Sequence, residues 1–198
     1  QGGAEVPVGR HGQETGSRKA TRLCLETAKT GVIPMISTLA SYRLAVNDID
    51  KTIERVSSQV TVSREVEYYL ENIGKVKTVD DLVDDYRLFS FAMKAFGLED
   101  MTYGKAFMKK VLNEGVDADD SFANSLSDKR YLEFAETFNF VAFDEATTSF
   151  TKTQQGVVDK YLRQTLEEQA GDENEGVRLA LYFQRKADSI DDFYEILA

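Results

Sequence analysis

The chain has 198 residues and a formal net charge of −10, with 12 Phe, 9 Tyr and no Trp. A length near 200 residues favours one domain, with room for a short appendage. An acidic surface repels phosphate backbones and anionic lipids, so the charge argues against binding to nucleic acid or to a membrane surface. No apolar run approaches the roughly 18 residues that a membrane-spanning helix needs.

The composition changes abruptly at Met35. The single His and Cys (His11 and Cys24) and both prolines lie before it, whereas every aromatic residue lies after it. The first 34 residues carry five Lys/Arg and three Asp/Glu, a net +2, so the remainder carries −12. We therefore predict that residues 1–34 are an extension outside the core, from an upstream start or from cloning, with a regulatory tail as the alternative. This extension has no apolar region typical of a secretory signal peptide.

Residues 35–198 are predicted to form a single helical domain, which begins with a heptad pattern. Apolar residues recur there at alternating spacings of three and four, the pattern that packs one helix against another. We predict a long N-terminal helix with two open interpretations: it packs on its own domain, or it pairs with another subunit. The predicted interaction seam consists of Leu39, Tyr42, Val46, Ile49, Ile53, Val56 and Val60.

Residues that start and stop helices divide the rest of the chain. Ser63 is predicted to cap a helix that Gly74 ends, and Thr78 is predicted to cap the next one. Gly97 is predicted to stop the helix that follows. The other predicted limits are Asp119 or Asp120 and Asp128 as starts, Gly115 as a stop, and Thr151 or Thr153 as the start of a helix that Gly171 ends.

Two segments are apolar around most of their circumference, which is typical of buried helices. They are Tyr86–Phe96 and Val177–Ala187. A last helix is predicted to begin in "SIDDFYEILA", which closes the chain without a polar end and indicates a domain that continues beyond residue 198. No strand pattern is evident, so the predicted fold class is all-α, a multihelical bundle.

The predicted domain contains no His and no Cys. Neither a Ser-His-Asp or Cys-His catalytic arrangement nor a zinc site of Cys and His can therefore be built in it. The residues with the spacing of a calcium loop are Asp117, Asp119, Ser121 and Asp128. Phe122 stands where that loop needs glycine, so we predict no calcium site there. The sequence thus predicts no catalytic residue, no metal and no cofactor.

The basic residues Arg178, Arg185 and Lys186 lie on a helix that we predict to be buried. Long basic side chains on such a helix extend along apolar surface until their charged ends reach water. We interpret these three residues in that way, although a functional role stays open.

Three strings resemble a bacterial family, the domain of unknown function 1217. They are "DDYRLFSFAMKAFGLEDM", "FANSLSDKRYLEFAETFNF" and "YLRQTLEEQAGDENEGVRLALYFQRKA". The resemblance covers roughly residues 36–198 and implies an all-α, multihelical domain. Members of the family often lie beside flagellar genes, and some are labelled flagellar proteins. The family brings no accepted catalytic residues.

Residues and resemblance together lead us to expect a non-enzymatic, flagellum-associated protein that acts through protein–protein contacts. The seam would be its contact element, with a flagellar component or a second copy of the chain as the partner. The alternative is a cytoplasmic regulator, or an export-chaperone-like protein with an apolar groove lined by Phe and Tyr. An enzyme built on carboxylates would require two acids that converge in a deep pocket.

Overall fold

The computed structural model describes residues 37–118 and 120–187. All regular secondary structure in these ranges is helical, which confirms the predicted all-α, multihelical class. The predicted extension over residues 1–34 and the helix predicted in residues 189–198 lie outside the described ranges.

The helices follow one another with short connections. The α-helices are α1 (Thr38–Val46), α2 (Ile49–Ser57), α3 (Val60–Ile73), α4 (Val79–Asp84), α5 (Tyr86–Ala95), α6 (Lys105–Glu114), α7 (Phe122–Ser125), α8 (Lys129–Thr137), α9 (Phe140–Phe143), α10 (Gln155–Glu173) and α11 (Glu175–Ala187). A 3₁₀ turn over Glu99–Met101 lies between α5 and α6, and another over Asp144–Ser149 lies between α9 and α10.

The segment predicted as one long N-terminal helix is divided. Helix α1 ends at Val46, and α2 begins at Ile49 because the Asp48 carboxylate accepts a hydrogen bond from the backbone N–H of Lys51 (3.2 Å). A cap of this kind satisfies a donor that the first turn of a helix leaves unpaired. Val60 opens a further helix, α3. The heptad pattern is therefore spread over three consecutive helices.

Several predicted helix limits are confirmed. Thr78 caps α4 in a capping box: its hydroxyl accepts from the N–H of Asp81 (3.1 Å), whose carboxylate accepts from the N–H of Thr78 (2.9 Å). Asp85 then starts the separate helix α5. Gly97 and Gly115 follow α5 and α6 with φ of +68°, a backbone conformation that favours glycine.

Other predicted limits are wrong, among them the start at Asp119 or Asp120, because Ser121 caps α7, which begins at Phe122. Ser63 lies inside α3, where its hydroxyl donates to the carboxylate of Glu67 (3.2 Å) and caps nothing. Gly171 lies inside α10, which ends before Asn174. Gly171 permits a close approach of α11, because a Cβ at this position would lie 2.8 Å from Cδ of Arg178.

Helix α5 is the centre of the core, as its composition predicts, and it packs against α3, α4 and α10. Phe91 of α5 stacks between Tyr69 of α3 and Tyr161 of α10, with ring centroids 4.4 and 3.9 Å apart. Helix α11 packs on α10 and α1 but is not buried all round. Only Val177 and Leu181 of its described residues are buried, so the prediction of a second central helix is wrong.

Candidate functional site

The structure places most of the predicted seam against the domain's own core. Val56 is buried, and Leu39 and Val60 are exposed. The other seam residues, Tyr42, Val46, Ile49 and Ile53, are half-buried against the core. The geometry favours the interpretation in which these helices pack on their own domain.

A different apolar surface lies between α9 and α10. Phe143 and Phe150 are 51% and 44% exposed, and their rings contact each other edge to face, with centroids 5.1 Å apart. We call these two residues the aromatic patch. Neighbouring apolar side chains on a protein surface are typical of contact sites for partners.

The backbone that carries the aromatic patch is strained and tightly held. Asp144, directly after Phe143, has a φ of +45°, a conformation that is uncommon for any residue except glycine. The buried hydroxyl of Thr147 lies within hydrogen-bond distance of two carbonyl oxygens, those of Asp144 (2.8 Å) and Asn139 (3.1 Å). Strain of this kind persists where surrounding contacts fix the backbone, and it is frequent at functional sites.

Two more threonines anchor the same segment to the core. The buried Thr148 hydroxyl donates to the carbonyl of Val76 (2.8 Å), and the carbonyl of Thr153 accepts from the buried hydroxyl of Tyr69 (2.6 Å). Thr151 or Thr153 is the predicted start of a helix, but α10 begins at Gln155. The clustered threonines in "TTSFTKT" are the sequence feature that could have indicated this anchored segment. Hydroxyl side chains just before a helix pattern are equally typical of helix caps, so the cluster alone does not decide between the two.

The structure also contains a charged cleft of about 400 Å³ between α8, α10, α11 and the turn that follows α5. Polar side chains and two aromatic rings form most of its wall. Its basic residues are Arg130, Lys160, Arg178, Arg185 and Lys186. Its acidic residues are Glu99, Asp100, Glu133, Glu167 and Glu168.

The most buried ion pair of the cleft lining joins α10 to α11. Arg185 donates through Nε (2.6 Å) and Nη2 (3.0 Å) to the two carboxylate oxygens of Glu167. The side chains of Arg185 and Glu167 are 26% and 6% exposed. Burial alone would lower the pKa of Arg185, but the hydrogen bond and charge of Glu167 raise it. The prediction that the charged end of Arg185 extends along apolar surface into water is therefore wrong.

The pairs made by Arg130 and Arg178 are local and more exposed. The Arg130 guanidinium contacts both carboxylate oxygens of Asp128, with Nε 3.0 Å from Oδ1 and Nη2 2.7 Å from Oδ2, and also donates to the carbonyl of Gly97. Arg178 donates through Nε (2.8 Å) and through Nη2 to the two carboxylate oxygens of Glu175, three residues before it on α11. The hydrogen bond from Arg130 lowers the pKa of Asp128. Both arginines are close to half-exposed.

Glu133 lies among several cations in the lining of the cleft. It pairs with Lys160, and Nζ of Lys186 lies 3.9 Å away. Burial would raise the pKa of Glu133, but the hydrogen bond from Lys160 and the charges of Lys160, Lys186 and Arg185 outweigh it and lower the pKa.

Two of the residues with calcium-loop spacing act as helix caps, and Asp117 lies exposed in the connection between α6 and α7. Ser121 accepts from the N–H of Asn124 (3.5 Å) at the start of α7, and Asp128 accepts from the N–H of Arg130 (3.0 Å) at the start of α8. Asp119 lies outside the described ranges. Within those ranges, no group of three or more His, Cys, Asp or Glu is arranged to hold a metal ion. No helix there is long and apolar enough to span a bilayer.

Both surfaces lie in the part of the chain that a family model matches. The family is described as protein of unknown function (DUF1217), and its model matches residues 95–198. The chain belongs to the DUF1217 family. The aromatic patch and the lining of the charged cleft lie within the DUF1217 match, whereas the Leu39–Val60 seam precedes it.

A crystal structure also resembles the chain. Protein AGR_C_984 from Agrobacterium tumefaciens is 54% identical, with a TM-score of 0.75. The alignment covers 77% of this chain and 66% of that protein, so this chain spans just under two thirds of its length. A comparison with curated proteins finds no match. The structural likeness supports the fold of this DUF1217 protein and names no activity.

Proposed function

We propose that this chain is a non-enzymatic, flagellum-associated protein whose aromatic patch binds a partner protein. The observation that carries the proposal is the contact between two half-exposed phenyl rings on a tightly held segment. Flagellar association is supported by the family resemblance. The absence of His and Cys from residues 35–198 supports a role without catalysis.

The aromatic patch offers enough apolar surface to matter in binding. Full burial of a Phe side chain contributes about 1.5–3 kcal/mol, so covering the exposed halves of Phe143 and Phe150 would contribute about 2 kcal/mol. Aromatic side chains at the centre of an interface often carry a large share of its binding energy. Thr147 and Thr148 fix the backbone before binding, which reduces the entropy lost when the partner docks.

The charge around the aromatic patch specifies the kind of partner. Asp144 and Glu145 are exposed directly after Phe143, with Nζ of Lys77 3.5 Å from Glu145, and the whole chain carries −10. Complementary charge increases the rate and selectivity of association. We therefore propose a flagellar protein with an apolar contact surface and Lys or Arg at its rim.

Affinity capture from the native flagellated cell tests this proposal. Phe143→Ser and Phe150→Ser are expected to lose a flagellar component that the unsubstituted chain retains. Tyr103→Ser is the matched control, because Tyr103 is an exposed aromatic residue outside the patch. Equal capture by all variants, or a captured set without flagellar proteins, would contradict the proposal.

An export-chaperone-like role is the second candidate. Helix α11 exposes Leu179 and Phe183, and the Phe183 ring contacts Tyr182 with centroids 5.6 Å apart. An apolar face of this kind suits a protein that holds an unfolded export substrate. Cell fractionation separates the two candidates: a flagellar component is found in filament or basal-body preparations, whereas a chaperone stays outside them.

A further inference from the structure

We propose that residues 188–198 of this chain dock on an exposed apolar face of α11. Leu179 and Phe183 form this face, and they are 42% and 64% exposed. The two residues lie four apart and so share one side of the helix, opposite the side on which Val177 and Leu181 are buried. The proposal concerns α11 alone and does not depend on the aromatic patch or on its partner.

Residues 188–198 lie outside the described ranges, but their sequence has the spacing of a helix with one apolar side. Apolar and aromatic residues stand at positions i, i+3, i+4 and i+7, and acidic residues occupy the opposite side. The first set is Ile190, Phe193, Tyr194 and Leu197, and the second is Asp191, Asp192 and Glu195. Ser189 stands three residues before Asp192, which is typical of a helix N-cap. The pattern therefore predicts a new helix after Ser189, and its apolar side needs a surface to cover.

The connection is short enough to lay this segment along α11 in the antiparallel direction. Only Asp188 and Ser189 separate Ala187, where α11 ends, from the predicted helix. Two antiparallel helices are commonly joined by a loop of two to five residues. At about 1.5 Å per residue, a helix over residues 190–198 extends about 12 Å, and Leu179 lies about 12 Å before the end of α11. The segment can therefore reach both residues of the apolar face.

The charges of the two segments are complementary. Helix α11 carries three basic residues and one acidic residue, with Arg185 and Lys186 in its last turn. Residues 188–198 carry four acidic residues and no basic one. In an antiparallel pair the acidic start of the segment lies beside the basic end of α11, where opposite charges attract. Charge therefore favours the same arrangement as the length of the connection.

The size of the apolar face argues for a short segment of the same chain and against a second copy. Stable interfaces between proteins bury roughly 800 Å² on each partner, and the exposed parts of two side chains are far smaller than this. A segment joined to α11 by two residues is already held beside the face, so it avoids most of the entropy cost of association. An export substrate would then compete with residues 188–198 for this face.

A double-mutant cycle in the whole chain tests the proposal. If Phe193 covers Phe183, then Phe183→Ser and Phe193→Ser should each lower the thermal midpoint by about 2–6 °C, because each removes an apolar contact. The double variant should lose much less than the sum of the two losses, because both substitutions remove the same contact. Ile196→Ser is the matched control, because Ile196 lies off the apolar side of the predicted helix. Its effect should add to that of Phe183→Ser.

Three results would overturn the proposal. One is a midpoint for Phe183→Ser within about 2 °C of the unsubstituted chain, as expected for a residue that stays exposed. Another is a double variant in which the two losses simply add. The third comes from light scattering at two protein concentrations, in which we expect Phe183→Ser to leave the molar mass unchanged. A dimer that Phe183→Ser dissociates would instead assign the face to a second copy of the chain.

Discussion

Substitution of Arg185 by Gln is expected to destabilise the domain by removing the cation that neutralises a buried carboxylate. Both oxygens of Glu167 accept from Arg185, at 2.6 and 3.0 Å, and the Glu167 side chain is only 6% exposed. Removal of one partner from a fully buried pair costs about 3–5 kcal/mol. Because water reaches part of Arg185, we expect a smaller loss in the free energy of unfolding, about 2–3 kcal/mol.

Thermal unfolding followed by circular dichroism measures this loss. In a domain of this size a loss of 1 kcal/mol lowers the midpoint by about 2–4 °C, so Arg185→Gln should lower it by about 4–12 °C. The double variant Glu167→Gln/Arg185→Gln should recover part of that loss, since no buried charge remains unpaired. The control Arg55→Gln, at an exposed arginine of α2, should change the stability by no more than about 0.5 kcal/mol.

Two results would refute this reasoning about the pair. One is a midpoint for Arg185→Gln within about 2 °C of the unsubstituted chain, below the smallest expected shift. The other is a double variant that is no more stable than Arg185→Gln alone. Either result would show that water or neighbouring cations compensate the Glu167 carboxylate in the folded state.

Three further substitutions or conditions test other parts of the fold. Thr148→Val keeps the side-chain shape but leaves the buried carbonyl of Val76 without its donor, so urea unfolding should show a loss of about 1–3 kcal/mol. Gly115→Ala places a side chain at a φ of +68°, and its thermal midpoint should fall by several degrees, whereas an unchanged midpoint would argue against backbone strain there. The folded-state pKa of Glu133 is lowered, mainly by Lys160, so its stabilising contribution is present above the unfolded pKa and is lost as pH falls through the folded pKa. Unfolding midpoints measured from pH 6 to pH 3 should therefore fall less steeply in Glu133→Gln, and an unchanged slope would contradict this.

Helix starts and stops could be predicted where the decisive contact is local. Thr78 and Asp81 are three residues apart, so their mutual hydrogen bonds can be inferred from the sequence. Gly171 shows the limit of such inference. A glycine after an apolar helix pattern usually ends the helix. Here it lies within α10 because α11 packs closely against it, which depends on the three-dimensional arrangement.

The two candidate sites could not be predicted from the sequence. The charged cleft depends on residues that are distant in sequence, and the aromatic patch depends on a turn with no regular apolar spacing. Arg185 and Glu167 are 18 residues apart on successive helices, and periodicity alone cannot show that they meet. Phe143 and Phe150 flank a 3₁₀ turn in which apolar residues have no regular spacing. Patterns predict which helices form, whereas exposure of a particular aromatic ring depends on how the connecting segments fold.

The stack of Tyr69, Phe91 and Tyr161 gives the domain an internal optical reporter. The chain contains no Trp, so its near-ultraviolet absorption and fluorescence come mainly from its nine tyrosines. Two of them lie face to face with Phe91 at the junction of α3, α5 and α10. Their circular dichroism between 270 and 290 nm should be lost when these helices separate. Packing of α3, α5 and α10 against one another can therefore be followed in solution without a label.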